Sequence, residues 1–231
     1  MSDAPSRQLS LDLAFRPAME REDFLVSECN AAAVDAIDRF ESLSPPLLVI
    51  VGPIGAGKTH LSEVWRTSSN AVRADAGGLG EDMAARMLEA GAAIIEDMPG
   101  DPGALDEGTL FHILNAAVQN RIRLLMTSRT APPAWGLVTE DVKTRLRLAT
   151  VVTIDLPDDA LFSALIMKLM ADRQMTVAAN ALRYAVPRLE RSFEAAENFV
   201  EAVERVSVEK RKTVTLGIVR EVIAGQGGEE R

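Results

Sequence analysis

Cysteine occurs once in this 231-residue chain, as Cys29. A lone cysteine closes no internal disulfide, so the chain is expected to have no covalent staple, which fits a reducing cytoplasm. Aromatic residues make up only 4% of the sequence. Its core must therefore be aliphatic. Histidine is scarce too: His112 is one of two, and it reads as structural because no partner is visible. Basic residues are outnumbered, 25 Lys and Arg against 34 Asp and Glu, for a net charge of −9. That balance opposes non-specific binding to the DNA backbone, so no strong direct DNA contact is expected. No stretch approaches the ~18 apolar residues of a membrane span. Met1 to Leu13 has no long apolar run and carries Asp3 and Asp12, so it does not read as a signal peptide. Hydrophobic residues, at 47%, and charged ones, at 26%, are ordinary for a globular protein. The length suits one sizeable core, or one core and a small satellite domain.

The most informative stretch is Leu47-Leu48-Val49-Ile50-Val51 followed by Gly52-Pro53-Ile54-Gly55-Ala56-Gly57-Lys58-Thr59. Five apolar residues in a row read as a fully buried strand. Thr59-His60-Leu61-Ser62-Glu63-Val64-Trp65 reads as a helix. Strand, glycine-rich loop and helix together are the context a phosphate-binding loop requires. Glycines let the backbone wrap a polyphosphate with its N–H groups pointing inward, and the helix N-terminus favours the anion. Lys58 offers a charge to the β- and γ-phosphates, and Thr59 a hydroxyl to Mg²⁺. A second informative stretch, Gly91 to Met98, is an apolar strand ending in Glu96-Asp97. In phosphate-loop nucleotidases a carboxylate there positions Mg²⁺ and a second one activates water. A third strand, Ile122 to Ser128, ends in hydroxyls and runs into the loop Arg129-Thr130-Ala131-Pro132-Pro133.

Around these stretches the chain falls into four parts. Residues 1–19 are a tail in which Gln8, Leu9, Leu11 and Leu13 form an apolar alternation suited to docking as an extended peptide. Residues 20–156 read as an α/β nucleotide-binding domain with a parallel sheet flanked by helices. It contains a helix from about Asn30 to Phe40, one from Glu81 to Ala90 with Met83, Met87 and Leu88 inward, and one from Leu105 to Gln119. A short helix around Asp141 to Leu146 precedes a last strand, Val151 to Leu156. Residues 157–225 are helical throughout and form a small lid, with Asp158 capping its first helix and Thr215 its last. Residues 226–231 are a frayed tail.

Strand and phosphate loop, acid-ended strand, hydroxyl-ended strand and helical lid, in that order, resemble the AAA+ ATPases. Within them, Gly57-Lys58-Thr59-His60-Leu61 resembles the GKTHL of the replication initiator DnaA. Thr127 to Pro133 resembles its sensor I strand and loop, Thr144-Arg145-Leu146 the segment with its arginine finger, and Arg191-Ser192-Phe193-Glu194 its sensor II segment. Lys212 to Leu216 with Val219-Arg220-Glu221 resembles the end of its lid. The likeness covers roughly residues 20–224. Unlike DnaA, this sequence does not continue into a helix-turn-helix. A DnaA-like module with an N-terminal clamp-binding peptide is the layout of the Hda-type regulators, bacterial cytoplasmic proteins that act with the sliding clamp to stimulate ATP hydrolysis by DnaA; an autonomous ATPase motor or loader and a non-catalytic DnaA-binding adaptor are the alternatives.

The resemblance implies ADP or ATP as ligand, with Mg²⁺ held by Thr59 and Glu96. It implies nucleotide contacts from Phe24, Val26, Pro53, Gly55, Ala56, Gly57, Lys58, Thr59, His60 and Arg191. It assigns hydrolytic or sensing roles to Glu96, Asp97, Ser128 and Arg145. It makes Gln8, Leu9, Leu11 and Leu13 the peptide for the clamp, the DNA polymerase III β subunit. DnaA and the clamp are then the partners, self-association stays open, and no membrane is involved. One residue departs from the family, which usually begins the acidic pair with Asp where this chain has Glu96. The binding groups are complete but the hydrolytic pair is altered, so the chain is expected to retain ADP and to turn ATP over slowly by itself.

Overall fold

The structure, a computed structural model, describes residues 21–80, 82–99, 105–210 and 213–226. The proposed clamp peptide around Gln8 to Leu13 therefore lies outside the described residues. The elements in order are α1 (Ala31–Asp38), β1 (Leu47–Val51), α2 (Lys58–Ser69), β2 (Val72–Asp75), α3 (Met83–Ala90), β3 (Ala92–Met98), α4 (Glu107–Asn120), β4 (Arg123–Ser128), α5 (Glu140–Leu146) and β5 (Thr150–Thr153). Four more helices follow: α6 (Asp159–Asp172), α7 (Ala179–Ala185), α8 (Phe193–Lys210) and α9 (Leu216–Gln226).

The strands form one parallel sheet in the order β2-β3-β4-β1-β5. Parallel neighbours need crossover connections, and these put helices on both faces. The period of two in a strand then divides the apolar side chains between the faces. Leu47, Val49 and Val51 pack with Ile95, Leu124 and Met126 against α3, α4 and α5. Leu48 and Ile50 pack with Ile94 and Leu125 against α1 and α2, where Phe40 and Trp65 meet with ring centroids 4.8 Å apart. This explains the uninterrupted apolar run of β1, which sits between two strands with both faces covered. The sheet order also brings the carboxyl ends of β1, β3 and β4 side by side. Ligands of open α/β sheets bind at such ends.

The helices after β5 have a core of their own, built from Phe162, Ile166 and Met170 of α6, Phe199, Val200 and Val203 of α8, and Val219 and Val222 of α9. The Asp158 carboxylate accepts the Leu161 N–H at 2.7 Å, as a helix cap should. Asp158→Ala is expected to cost about 1 kcal/mol and to lower the melting temperature by roughly 2–4 °C. A calorimetric scan with an unchanged transition would show the cap to be idle.

Two expected features differ in the structure. Leu88 is 49% exposed, because Met83 and Met87 share the inward face of α3 and Leu88 lies a further ~100° around the helix. The last strand ends at Thr153 rather than Leu156. Ile154 still donates to the Val51 carbonyl at 2.7 Å, but Asp155 donates to Cys29 at 3.0 Å. The chain thus leaves the sheet edge to pair with the loop before α1, and Leu156 is left 59% exposed.

Candidate functional site

The loop from Gly52 to Gly57 turns out of β1 and into α2. It needs glycine at two places for reasons visible in the backbone. Gly55 and Gly57 have φ of 74° and 80°, in the left-handed region that side chains strain to enter. A Cβ on Gly57 would stand 2.8 Å from the Phe24 ring, and one on Gly55 would stand 3.0 Å from Cβ of Phe193. The loop is therefore clamped between the segment before α1 and the first residue of α8.

Lys58 opens α2, and its ammonium donates to the carbonyls of Gly52 and Pro53, both at 2.8 Å. It is 8% exposed. Burial lowers its pKa, Asp97 and Glu96 oppose that shift, and the neighbouring Arg129 adds to it. The lysine is thus a cation held by neutral carbonyls, which it could exchange for the oxygens of an anion.

The acidic end of β3 divides its two residues between different environments. Glu96 is buried, 1% exposed, facing α2. Its carboxylate accepts from Ser62, from Arg73 of β2 at 2.5 Å, and from Thr59 at 3.4 Å. A shorter aspartate would stop at the first turn of α2. The additional methylene carries the carboxylate on toward Ser62, one turn beyond Thr59. Asp97 follows a register break between Ile95 and Met98 and takes φ of 54°. Asp tolerates this conformation better than most residues. Its N–H donates to the Thr127 hydroxyl at 3.2 Å, and its side chain is exposed at the cavity.

At the end of β4, Ser128 is buried with a hydroxyl that donates to the Met98 carbonyl and accepts from the Trp135 indole at 2.9 Å. Its hydroxyl is engaged in holding the loop that follows. Alternation along β4 instead turns Thr127 toward the acidic pair, and the next residue, Arg129, reaches the cavity. The register Val51 with Ser128 sets Arg129 beside Gly52, the first residue of the loop.

These groups surround a cavity of about 450 Å³ between the sheet ends and the lid. One end holds Lys58, Thr59, Asp97 and Arg129. Its middle is apolar, with Phe24, Leu25, Ile54, Leu161 and Leu165, a slot of the kind that accepts a planar base. The far end has the Lys168–Asp172 pair and Glu197, whose pKa is raised mainly by burial. The Phe24 ring meets His60 edge-on at 5.3 Å, closing one side. A larger depression of about 970 Å³ lies between α1 and α2, but it is lined by neither the loop nor the acidic strand end.

Of the residues the sequence singled out, Phe24, Gly55, Ala56, Gly57, Lys58, Thr59, His60 and Asp97 meet at this cavity. Pro53 contributes its carbonyl to Lys58. Val26 is 52% exposed and does not line the cavity. Arg191 also lies outside the lining, in an exposed ion pair with Asp159 at 2.5 Å. Arg145 is half-buried on α5, likewise outside the lining. It makes no ion pair among the described residues. Among the contributors that went unread in the sequence are Ser62, Arg73 and Arg129. Ser62 was signalled by its helical spacing of three from Thr59, and Arg129 by its place after a strand that must neighbour β1. Arg73 had no signal, because nothing local says which strand lies next to β3.

Glu96 is not a ready magnesium ligand. Mg²⁺ takes near-octahedral oxygen ligands from one or two carboxylates, phosphates and water. Here the buried carboxylate already has three partners, one of them a guanidinium. A cation would have to displace Arg73 or share Glu96 with it.

No family model and no curated protein matches this sequence. Solved structures do match it in shape. Domain III of the replication initiation protein DnaA from Thermotoga maritima superposes with a TM-score of 0.74 at 16% identity, over 91% of this chain and 98% of that one. AMPPCP-bound DnaA from Aquifex aeolicus gives 0.66 at 18% identity, over 86% of this chain and 70% of that one. The AAA domain of FIGL-1 in complex with ADP gives 0.68 at 13% identity, over 90% and 85%. The chain has the fold these proteins share, a parallel α/β sheet domain followed by a small group of helices.

Proposed function

We propose that this chain is an adenine-nucleotide-binding AAA+ regulator of replication initiation, of the Hda type. In this reading it docks on the sliding clamp and stimulates ATP hydrolysis by DnaA. One observation supports it above the rest. Groups that hold a nucleotide converge on the cavity, while Glu96, where the family's hydrolytic pair begins, is committed to Ser62 and Arg73. Such a site retains a nucleotide better than it cleaves one. Arg145 has the opposite character, a guanidinium with no acidic partner among the described residues and no access to its own cavity. A charge so placed suits a phosphoryl group on a neighbouring molecule. There it stabilises the negative charge that spreads over the equatorial oxygens during transfer.

The division of labour follows. ADP or ATP in the cavity fixes the lid against the domain. Gln8, Leu9, Leu11 and Leu13 add a short extended segment to the clamp. Arg145 then faces the nucleotide of DnaA, which is the one hydrolysed. The test is the rate of ATP hydrolysis by DnaA with the chain and DNA-loaded clamp together, against either one alone. Stimulation that needs both is expected. Unstimulated DnaA would overturn the reading, as would rapid ATP turnover by the isolated chain.

The clamp half has its own test. Gln8→Ala with Leu11→Ala and Leu13→Ala is expected to abolish capture by immobilised clamp and to leave the melting temperature within about 1 °C, since surface changes usually cost under ~0.5 kcal/mol. A collapse in melting temperature would mean that these residues are part of the core.

A further inference from the structure

We propose that the nucleotide is held here without a required magnesium ion, its phosphate charge being balanced by Lys58 and Arg129 of the chain itself. The inference rests on the reading of the cavity as a nucleotide site. Two independent observations carry it.

The first is the state of Glu96. A carboxylate that is 1% exposed must be paired and hydrogen-bonded to remain charged. Ser62 donates to one oxygen, and Arg73 and Thr59 to the other. Arg73 is 40% exposed at its side chain, so its stem lies on the surface while its head neutralises the buried acid. A dication approaching Glu96 meets an anion already compensated by a fixed positive charge, and it is repelled by that charge. The cost of freeing Glu96 falls on the metal, because breaking a buried pair is strongly destabilising.

The second is Arg129. Its side chain is exposed at the same end of the cavity as Lys58, and it makes no ion pair among the described residues. It is close enough for its charge to be felt at Lys58. Two cations meet at this part of the cavity, where Asp97 also lines it and Glu96 is already paired with Arg73. Such an arrangement is unfavourable when empty and favourable when an anion joins it. A guanidinium is always charged and can bind two phosphate oxygens side by side. It therefore supplies the neutralisation that the ion would otherwise bring.

The test is calorimetric titration of the full chain with ADP, once in millimolar Mg²⁺ and once in excess EDTA. The two dissociation constants are expected to agree within about threefold. Arg129→Ala is expected to weaken ADP at least tenfold in both buffers, in line with the loss of a hydrogen bond to a charged group. Its melting temperature without ligand should match wild type, because the side chain is exposed. ADP binding that is tenfold or more tighter with Mg²⁺ would overturn the inference and leave the nucleotide reading intact. Unchanged affinity in Arg129→Ala would overturn it as well. No binding in either buffer would overturn both.

Discussion

Arg145→Ala should leave a protein that binds ADP and the clamp normally and yet no longer stimulates DnaA. The expected loss in stimulated rate is large, on the order of 10³–10⁵, the range for arginines acting across an interface on a phosphoryl group. The structure favours a clean separation of effects. Arg145 lies outside the cavity lining and has no acidic partner among the described residues, so its removal disturbs neither the ligand nor an ion pair. Its helix is held by Val142 and Leu146, both buried against the sheet-facing core, and not by the guanidinium. The measurement is single-turnover hydrolysis of DnaA-bound ATP with loaded clamp, beside ADP titration of the variant. Arg145→Lys is the informative control, since an ammonium keeps the charge but loses the planar fork. Full stimulation by the alanine variant would remove Arg145 from the reaction.

Lys58→Ala should lose ADP binding, by a factor of about 100 or more. The side chain is buried and bridges two carbonyls of the loop. A ligand bound only to the folded state at 100 times its dissociation constant stabilises by about 2.7 kcal/mol. For a chain of this size that is a rise of roughly 5–11 °C in melting temperature. Wild type should show the rise and Lys58→Ala should not. Without ligand the two should melt within a few degrees, because the burial that lowers the lysine's pKa also makes its charge costly to keep in the fold. An equal rise in both proteins would reject the phosphate-loop assignment.

The parts of the site that were legible in the sequence are those whose chemistry is local. The loop and its flanking strand and helix are contiguous, so spacing alone assembled Gly55, Gly57, Lys58 and Thr59. The cap at Asp158 was local as well. What stayed hidden depends on which strands lie side by side. Arg73 meets Glu96 only because β2 pairs with β3, and Arg129 meets the loop only because β4 pairs with β1. Arg191 shows the same limit from the other direction. It pairs with Asp159, which the fold brings from 32 residues away in sequence. The Ser128 hydroxyl accepts from the Trp135 indole, a partner seven residues on that no local pattern marks.

The contact between Gly55 and Phe193 has a thermodynamic consequence. The glycine belongs to the loop proposed to wrap phosphate, and the phenylalanine begins the long helix α8. With so little room between them, the loop cannot tighten around a ligand without the lid registering it. Linkage then runs both ways with the same factor. A partner that grips the lid in its ligand-bound orientation raises the affinity for nucleotide as much as nucleotide raises the affinity for that partner. If DnaA, or another molecule, touches the lid of this chain, the half-life of the complex and the half-life of the bound nucleotide are two readings of one equilibrium.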